Sequence, residues 1–335
     1  PSDRPKLVIA SKTWSRDSHG LFDYESDNVQ ARIMKVQDDC YLVRKDNEVL
    51  TVTTLIPHEY SILAELISTS TGFIVKKCDD ANDSLWKVVR ASTEQSSDES
   101  EVLGVAIESG TVVKLGRVQI LVSELSKETS PEASTLSSSD ETLEDQRACK
   151  FCFGASEEDN CLISPCDCIG SLRYVHQVCL QRWLTSKCQV SNTESFTSFY
   201  WKSMHCELCN KVYPFSLEAG GLTVSLFNVF QANERTIALE QLARESHGQS
   251  VHILTSKVNT SLKLGRGHES DLRISDISVS RCHAVLSIVD GKLYIRDNQS
   301  KFGTLIKMPN EVFVDRGDTF VVQTGRTVST FQIQS

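Results

Sequence analysis

The sequence predicts a mainly β, multi-domain protein with a small α+β metal module in its middle. Three observations predict it. The chain has 335 residues, and at roughly 100–200 residues per domain that makes two or three domains. Both ends carry short apolar runs broken by Asp, Asn, Gly and Ser, the pattern of sandwiches and small barrels. Between them lies a cluster of cysteines at metal-ligand spacing.

Composition narrows the classes. Hydrophobic residues make up 40%, slightly low for one compact globule, which points to surface-rich modules and linkers. No apolar run approaches the roughly 18 residues of a membrane helix, and no signal peptide opens the chain. A cytoplasmic location is expected, with the nucleus as the alternative, and no membrane partner in this segment. The chain begins with Pro1 rather than Met, which leaves room for an upstream segment. Net charge is −9, but residues 1–146 hold 15 basic and 26 acidic side chains while 250–335 hold 11 and 8. The overall acidity argues against nucleic-acid binding, and the basic C-terminal segment is where an anionic ligand fits best.

Residues 1–123 read as an all-β domain, with strands expected at 31–36, 40–43, 49–56, 72–75, 85–89 and 119–122. Residues 124–146 hold seven acids, one Lys and many Ser and Thr. They cannot bury enough apolar area to offset chain entropy and read as a flexible linker. Residues 147–215 form the cysteine-rich module. Residues 216–249 read as a strand-helix connector, with a strand at 222–230 and a helix at 236–245 carrying Ile237, Leu239, Leu242 and Ala243. Residues 250–335 form a second all-β domain, with strands at 251–254, 284–288, 293–296, 311–314, 320–322 and 330–333. One internal echo links the two ends. Glu108-Ser-Gly-Thr-Val-Val-Lys-Leu-Gly-Arg117 is similar to Asp315-Arg-Gly-Asp-Thr-Phe-Val-Val-Gln-Thr-Gly-Arg326, as if both were closing hairpins of the same kind of sandwich.

Of twelve cysteines, seven fall with one histidine in the string Cys149-x2-Cys152-x13-Cys166-x-Cys168-x7-His176-x2-Cys179-x26-Cys206-x2-Cys209. Eight ligands suffice for two tetrahedral zinc sites. A Cys-x2-Cys pair lets two thiolates reach one ion from a tight turn, and His176 and Cys179, three apart at the start of an expected helix, can face one metal. Cys161 and His205 fit the spacing less well. The stretch Ile163-Ser-Pro-Cys-Asp-Cys-Ile-Gly-Ser-Leu-Arg-Tyr-Val-His-Gln-Val-Cys-Leu-Gln-Arg-Trp-Leu184, with Cys206-Glu-Leu-Cys-Asn-Lys-Val-Tyr213, resembles the RING-CH (variant RING) finger of the membrane-associated RING-CH ubiquitin ligases. A PHD finger shares the ligand order but not the one-residue and seven-residue gaps. The resemblance implies a cross-brace. One Zn2+ takes Cys149, Cys152, His176 and Cys179, and the second takes Cys166, Cys168, Cys206 and Cys209. It also implies a docking surface for a ubiquitin-conjugating enzyme (E2) at Phe151 and Trp183. Many RING-type ligases carry a basic residue just after the last ligand, where this chain has Asn210 and then Lys211.

The second signature is Leu264-Gly-Arg-Gly-His-Glu-Ser-Asp-Leu-Arg-Ile-Ser-Asp-Ile-Ser-Val-Ser-Arg-Cys-His-Ala284, followed by Asp297-Asn-Gln-Ser-Lys-Phe-Gly-Thr304. It resembles a forkhead-associated (FHA) domain, a β-sandwich that binds phosphothreonine peptides through loops at one end. On that resemblance Arg266 gives a charge-assisted hydrogen bond to phosphate, Ser280 donates its hydroxyl, and Arg281 and Lys301 add donors or charge. Gly265, His283, Gly303 and Thr304 hold the loops in shape. Phe302 stands where the family commonly has Asn, so peptide selectivity departs from the family pattern. RING-CH and FHA in one chain resemble ciliate-type RING-CH/FHA proteins, and the N-terminal domain is read as a degenerate FHA-like sandwich.

The expected function is that of an E3 ubiquitin ligase. The finger recruits a loaded E2 without a catalytic nucleophile of its own, and the FHA domain recruits phosphothreonine-marked substrates or partners. The alternative is a non-catalytic phosphopeptide adaptor with a structural finger. An exposed Phe151/Trp183 surface favours the ligase, and one buried by 196–201 favours the adaptor. Thr142-Leu-Glu-Asp145 in the linker offers a candidate phosphorylated ligand for the FHA site.

Overall fold

The structure, a computed structural model, describes residues 5–16, 19–54, 58–78, 84–90, 104–125, 147–157, 160–193, 196–201, 204–213, 216–219, 222–226, 236–242, 249–255 and 260–334. Most of the linker, Thr142 included, lies outside the described residues. The chain divides into two compact units, one of residues 1–120 with 258–335 and the other of 121–257.

The first unit is all β, and the two ends of the chain build it together. Lys6–Trp14 alternates buried and less buried positions, as does Thr327–Gln334. Period-2 alternation demands a partner that covers one face, and each strand is the other's partner, in antiparallel register with Leu7 opposite Ile333 and Ile9 opposite Phe331. Further along the same pairing, Ser11 and Ser329 hydroxyls meet at 2.9 Å and those of Thr13 and Thr327 at 3.0 Å. Buried hydroxyls thereby satisfy one another across the strands. Leu7, Ile9, Leu42, Leu66, Phe73, Val75, Val314 and Phe331 share one apolar core. The expectation of separate all-β domains at 1–123 and 250–335 is corrected on this point. Alternation announces a buried face but not what buries it.

The sheet order in this unit is nearly palindromic. The hairpin of Val112–Leu115 and Val118–Leu125 stands beside Thr304–Lys307, then come Trp86–Val88 and the hairpin of Thr319–Thr324 and Thr327–Gln334. These hairpins contain the two echoing segments. They turn at Gly116-Arg117 and Gly325-Arg326, where the glycines take φ of +58° and +57°, as two-residue hairpin turns require at the first central position. Each hairpin pairs with the strand contributed by the opposite end of the chain: Leu305 lies opposite Lys114, and Gln323 opposite Trp86. A second sheet orders Leu272–Arg273, Thr260–Gly265, Ala284–Val289, Lys292–Asp297 and Val105–Ile107. A third orders Glu311–Val314, Phe73–Lys76, Ser61–Ser68, Cys40–Lys45 and Glu48–Val52.

The second unit holds the cysteine-rich module. Leu162–Ile163 pairs with Val175–His176, a 3-10 turn spans Gly170–Arg173, and the helix Gln177–Lys187 follows. Leu180 and Leu184 are fully buried and lie one turn apart, as i and i+4 positions on one helix face do. Gln189–Asn192, Phe196–Trp201, Gln249–Thr255 and Thr236–Gln241 then form consecutive antiparallel pairs. Phe199, Ala238, Val251 and Ile253 join Cys149, Leu180 and Leu184 in one core. The helix expected at 236–245 is corrected: Thr236–Gln241 is a strand, with Ile237 opposite Leu254 and Leu239 opposite His252. Short apolar runs satisfy both periods, and here the tertiary partner decides. Residues 243–248 lie outside the described ones. No helix among the described residues is long and apolar enough to cross a membrane.

Candidate functional site

Both Cys-x2-Cys pairs are built by the same turn. After Cys149 the amide of Phe153 returns to the Cys149 carbonyl at 2.8 Å, and after Cys206 the amide of Asn210 returns to the Cys206 carbonyl at 2.9 Å. Phe153 and Asn210 take φ of +61° and +58°, the left-handed bend that aims both sulfurs of a pair at one point. Asn tolerates this conformation; Phe is less suited to it.

The eight candidate ligands fall into two sets: Cys149, Cys152, His176 and Cys179, and Cys166, Cys168, Cys206 and Cys209. Within each set the donor atoms all lie within 4.8 Å of one another. His176 Nε2 lies 2.7 Å from the Ala155 carbonyl, and Nδ1 lies 3.1 Å from Cys152 Sγ. Nε2 therefore carries the proton, and Nδ1 is the lone pair offered to a metal, as an oriented metal-binding histidine should be. Burial raises the Cys149 thiol, but backbone N–H groups of His176, Cys152 and Phe151 outweigh it and bring the thiol down to about 6. At Cys206 the same opposition, with the Tyr213 hydroxyl helping, brings it down to about 5. The donor sets, three thiolates with one imidazole and four thiolates, fit two tetrahedral zinc ions. Neither Cys161 nor His205 joins a set.

Phe151 is 38% exposed and stacks on Trp183, with ring centroids 6.0 Å apart and planes at 24°. Trp183 in turn meets Tyr213 edge-on at 6.0 Å, and Lys187 Nζ lies 5.3 Å from its centroid. Phe153, Ile169, Leu172, Leu208 and Val212 are also exposed. Phe199 points instead into the core.

At the other candidate site, the end of strand Thr260–Gly265 brings Arg266 beside the loop of Ser280 and Arg281. The Arg266 amide donates to the Ser280 carbonyl at 3.1 Å and the Gly267 amide to the Arg281 carbonyl at 3.0 Å. A Cβ on Gly265 would meet the Arg281 carbonyl oxygen at 2.1 Å, so only glycine allows this approach. His283 is buried. Its Nδ1 accepts from the Ser280 amide at 3.0 Å and its Nε2 donates to the Gly303 carbonyl at 3.1 Å. One neutral imidazole thus ties the two loops together, and burial lowers its pKa. The Asp297 carboxylate accepts from the hydroxyls of Ser300 and Thr304, each at 2.6 Å. The amide of Lys301 donates to Ser280 Oγ at 3.2 Å. Arg266, Ser280, Arg281 and Lys301 therefore sit on adjoining loops. Arg266 and Arg281 are exposed, and neither guanidinium has a hydrogen-bond or ion-pair partner among the described residues.

Sequence reasoning missed what supports these loops from the other end of the chain. The Tyr24 amide donates to the Lys301 carbonyl at 2.9 Å, and the Tyr24 ring fills the space where a Gly303 Cβ would lie. Arg90 Nη1 donates to the Ser300 carbonyl at 2.8 Å. Trp14 meets Phe302 at 6.1 Å, and Asp23 pairs with Lys301. No local pattern marks these residues. It missed Lys150 as well, whose Nζ reaches the sulfurs of the second ligand set.

One unit holds two metal-ligand knuckles that share a small core, and the other is a sandwich whose loops carry the exposed Arg266 and Arg281; the first defines a zinc-finger protein. Residues 149–209 match the family model of the RING-variant domain and residues 262–329 that of the FHA domain. The chain is similar to the E3 ubiquitin-protein ligase MARCHF7 of Rattus norvegicus, 39% identical over 89 residues, which cover 26% of this chain and 12% of that protein. It is also similar to the E3 ubiquitin-protein ligases MARCHF1 and MARCHF8 of Homo sapiens. The first is 36% identical over 107 residues (31% of this chain, 32% of that protein), and the second is 34% identical over 111 residues (31% and 33%). The chain thus spans about a third or less of the length of these three relatives. No solved structure matches it.

Proposed function

We propose that this chain is an E3 ubiquitin ligase of the RING-CH type, in which Phe151 and Trp183 dock a ubiquitin-loaded E2 and the FHA loops capture phosphothreonine-marked substrates or partners. The supporting observation is the Phe151/Trp183 stack, in which Phe151 is exposed and Trp183 is half-buried against the module's core. Zinc supplies folding free energy to the module beyond what its small apolar core contributes. The chain's residues supply position: catalysis of this kind holds two reactants in a reactive geometry and needs no nucleophile on the ligase. At the FHA loops, Arg266, Arg281 and Ser280 are charge-assisted and neutral donors for a phosphate dianion.

An autoubiquitination assay with a panel of E2 enzymes tests the reading. Chains are expected with wild type and lost with Trp183→Ala or Phe151→Ala while zinc content stays at two per chain. A folded, fully metallated wild type that builds no chains with any E2 would leave the adaptor reading in its place. Asn210, standing where many RING-type ligases carry a basic residue, is the observation that favours that second reading.

A further inference from the structure

Lys301 does not face its loop alone. Its Nζ lies 3.4 Å from Asp23 Oδ2, a carboxylate contributed by a segment far outside the residues that match the FHA family. The two partners are unequal. The Asp23 side chain is only 10% exposed, and its Oδ1 is pinned by the Glu25 amide at 3.0 Å. The Lys301 side chain is 49% exposed, and a long flexible stem lets its ammonium swing. Glu25 and Asp27 follow in the same loop, both exposed. The other acid of the site, Asp297, is held by the Ser300 and Thr304 hydroxyls.

We propose that Asp23 makes this site select phosphothreonine peptides that carry a basic residue beside the phosphothreonine, through an exchange of ion-pair partners. The inference rests on the phosphothreonine reading above. A phosphate dianion held by Arg266 and Arg281 draws Lys301 toward itself, since a dianion is a stronger partner than a carboxylate. Asp23 cannot follow, and a nearly buried carboxylate left without a cation is penalised. An Arg or Lys of the peptide, one or two residues from the phosphothreonine, takes the vacated place. A peptide without one leaves Asp23 unpaired or forces Lys301 to stay, and binds more weakly in either case.

The test is a fluorescence-polarisation titration of the full chain with two phosphothreonine peptide sets, one with Arg and one with Ala flanking the phosphothreonine, beside unphosphorylated controls. Wild type is expected to prefer the Arg set by at least threefold. Asp23→Asn keeps the Oδ1 acceptor for the Glu25 amide, so the loop is preserved. It should abolish the preference, weakening the Arg set and tightening the Ala set. Lys301→Met should weaken both sets and keep the preference. Phosphate-dependent binding with no preference for Arg, or a preference that survives Asp23→Asn, overturns the inference alone. Binding by wild type and variants that is indifferent to the phosphate overturns the phosphothreonine reading and this inference with it.

Discussion

Lys150 Nζ lies 3.6 Å from Cys206 Sγ and 3.8 Å from Cys166 Sγ, although its chain neighbours Cys149 and Cys152 belong to the other ligand set. A site of four thiolates around a divalent ion carries a net charge of about −2, and this ammonium is placed to offset part of it. Lys150→Met should therefore speed chelator-driven loss of one zinc of the two by about tenfold, roughly 1.4 kcal/mol. Loss followed with a colorimetric chelator should become biphasic. A rate increase shared equally by both ions, or none, would count against the role.

Phe331 is 1% exposed and lies in a core built from both ends of the chain. Phe331→Ala should cost about 3–5 kcal/mol. Hydrogen exchange should show the amides of Lys6–Trp14 losing protection together with those of Thr327–Gln334. Loss confined to the C-terminal strand would mean that the two ends do not form one cooperative unit.

His252 is buried between two hydroxyls, with Ser198 Oγ 2.7 Å from Nδ1 and Ser250 Oγ 3.0 Å from Nε2. Burial lowers its pKa from 6.5 to about 4. The folded state keeps it neutral while the unfolded chain binds a proton below pH 6.5. Stability should therefore fall as pH drops from 6.5 toward 4 and level off below, by about 3 kcal/mol in all. His252→Gln should remove this part of the acid slope in denaturant titrations at several pH values. An unchanged slope would place the proton elsewhere.

Asp276 ties the Gly116-Arg117 hairpin turn to the loop before Ser280. Arg117 Nη2 lies 3.3 Å from Asp276 Oδ1, and the Arg117 amide donates to Ser278 Oγ at 2.9 Å. Burial raises the Asp276 pKa, but the Ser278 hydroxyl and amide and the Arg117 guanidinium outweigh it and lower it below 3.8. Its stabilisation is fully present above pH 3.8 and is lost as pH falls through the folded value. Asp276→Asn should lower the thermal midpoint at pH 7, and the gap to wild type should close in acid. A gap independent of pH would mean that charge is not what Asp276 contributes.

The metal ligands and the loop signature were legible because their chemistry restricts residue types at short spacings: Cys149 and Cys152 must turn onto one ion, and Gly265 must pass against the Arg281 carbonyl. The twin hairpins were legible for the same reason, since Gly116 and Gly325 sit where a two-residue turn needs positive φ. What could not be read is what depends on a distant partner. Nothing near Leu7 names Ile333, and nothing near Asp23 names Lys301. Thr236–Gln241 reads as helix or strand from sequence because Ile237 and Leu239 fit both periods until Gln249–Thr255 lies beside them. The clamp of Tyr24 and Arg90 on the Lys301 loop likewise arises only when the two ends share a unit.

The order in which the chain leaves the ribosome follows from that shared unit. Lys6–Trp14 is translated well before the strand that completes it, Thr327–Gln334. At ~5–20 residues per second, translation separates them by roughly 15–60 s. Through that interval Lys6–Trp14 lacks the strand that pairs with one of its edges, the kind of unpaired edge that invites aggregation. The zinc module has its own core and ligands and can mature in the meantime if metal is at hand. A message cut short after Thr255 would release a metallated module attached to an unfinished sandwich, one that lacks the loops carrying Arg266 and Lys301.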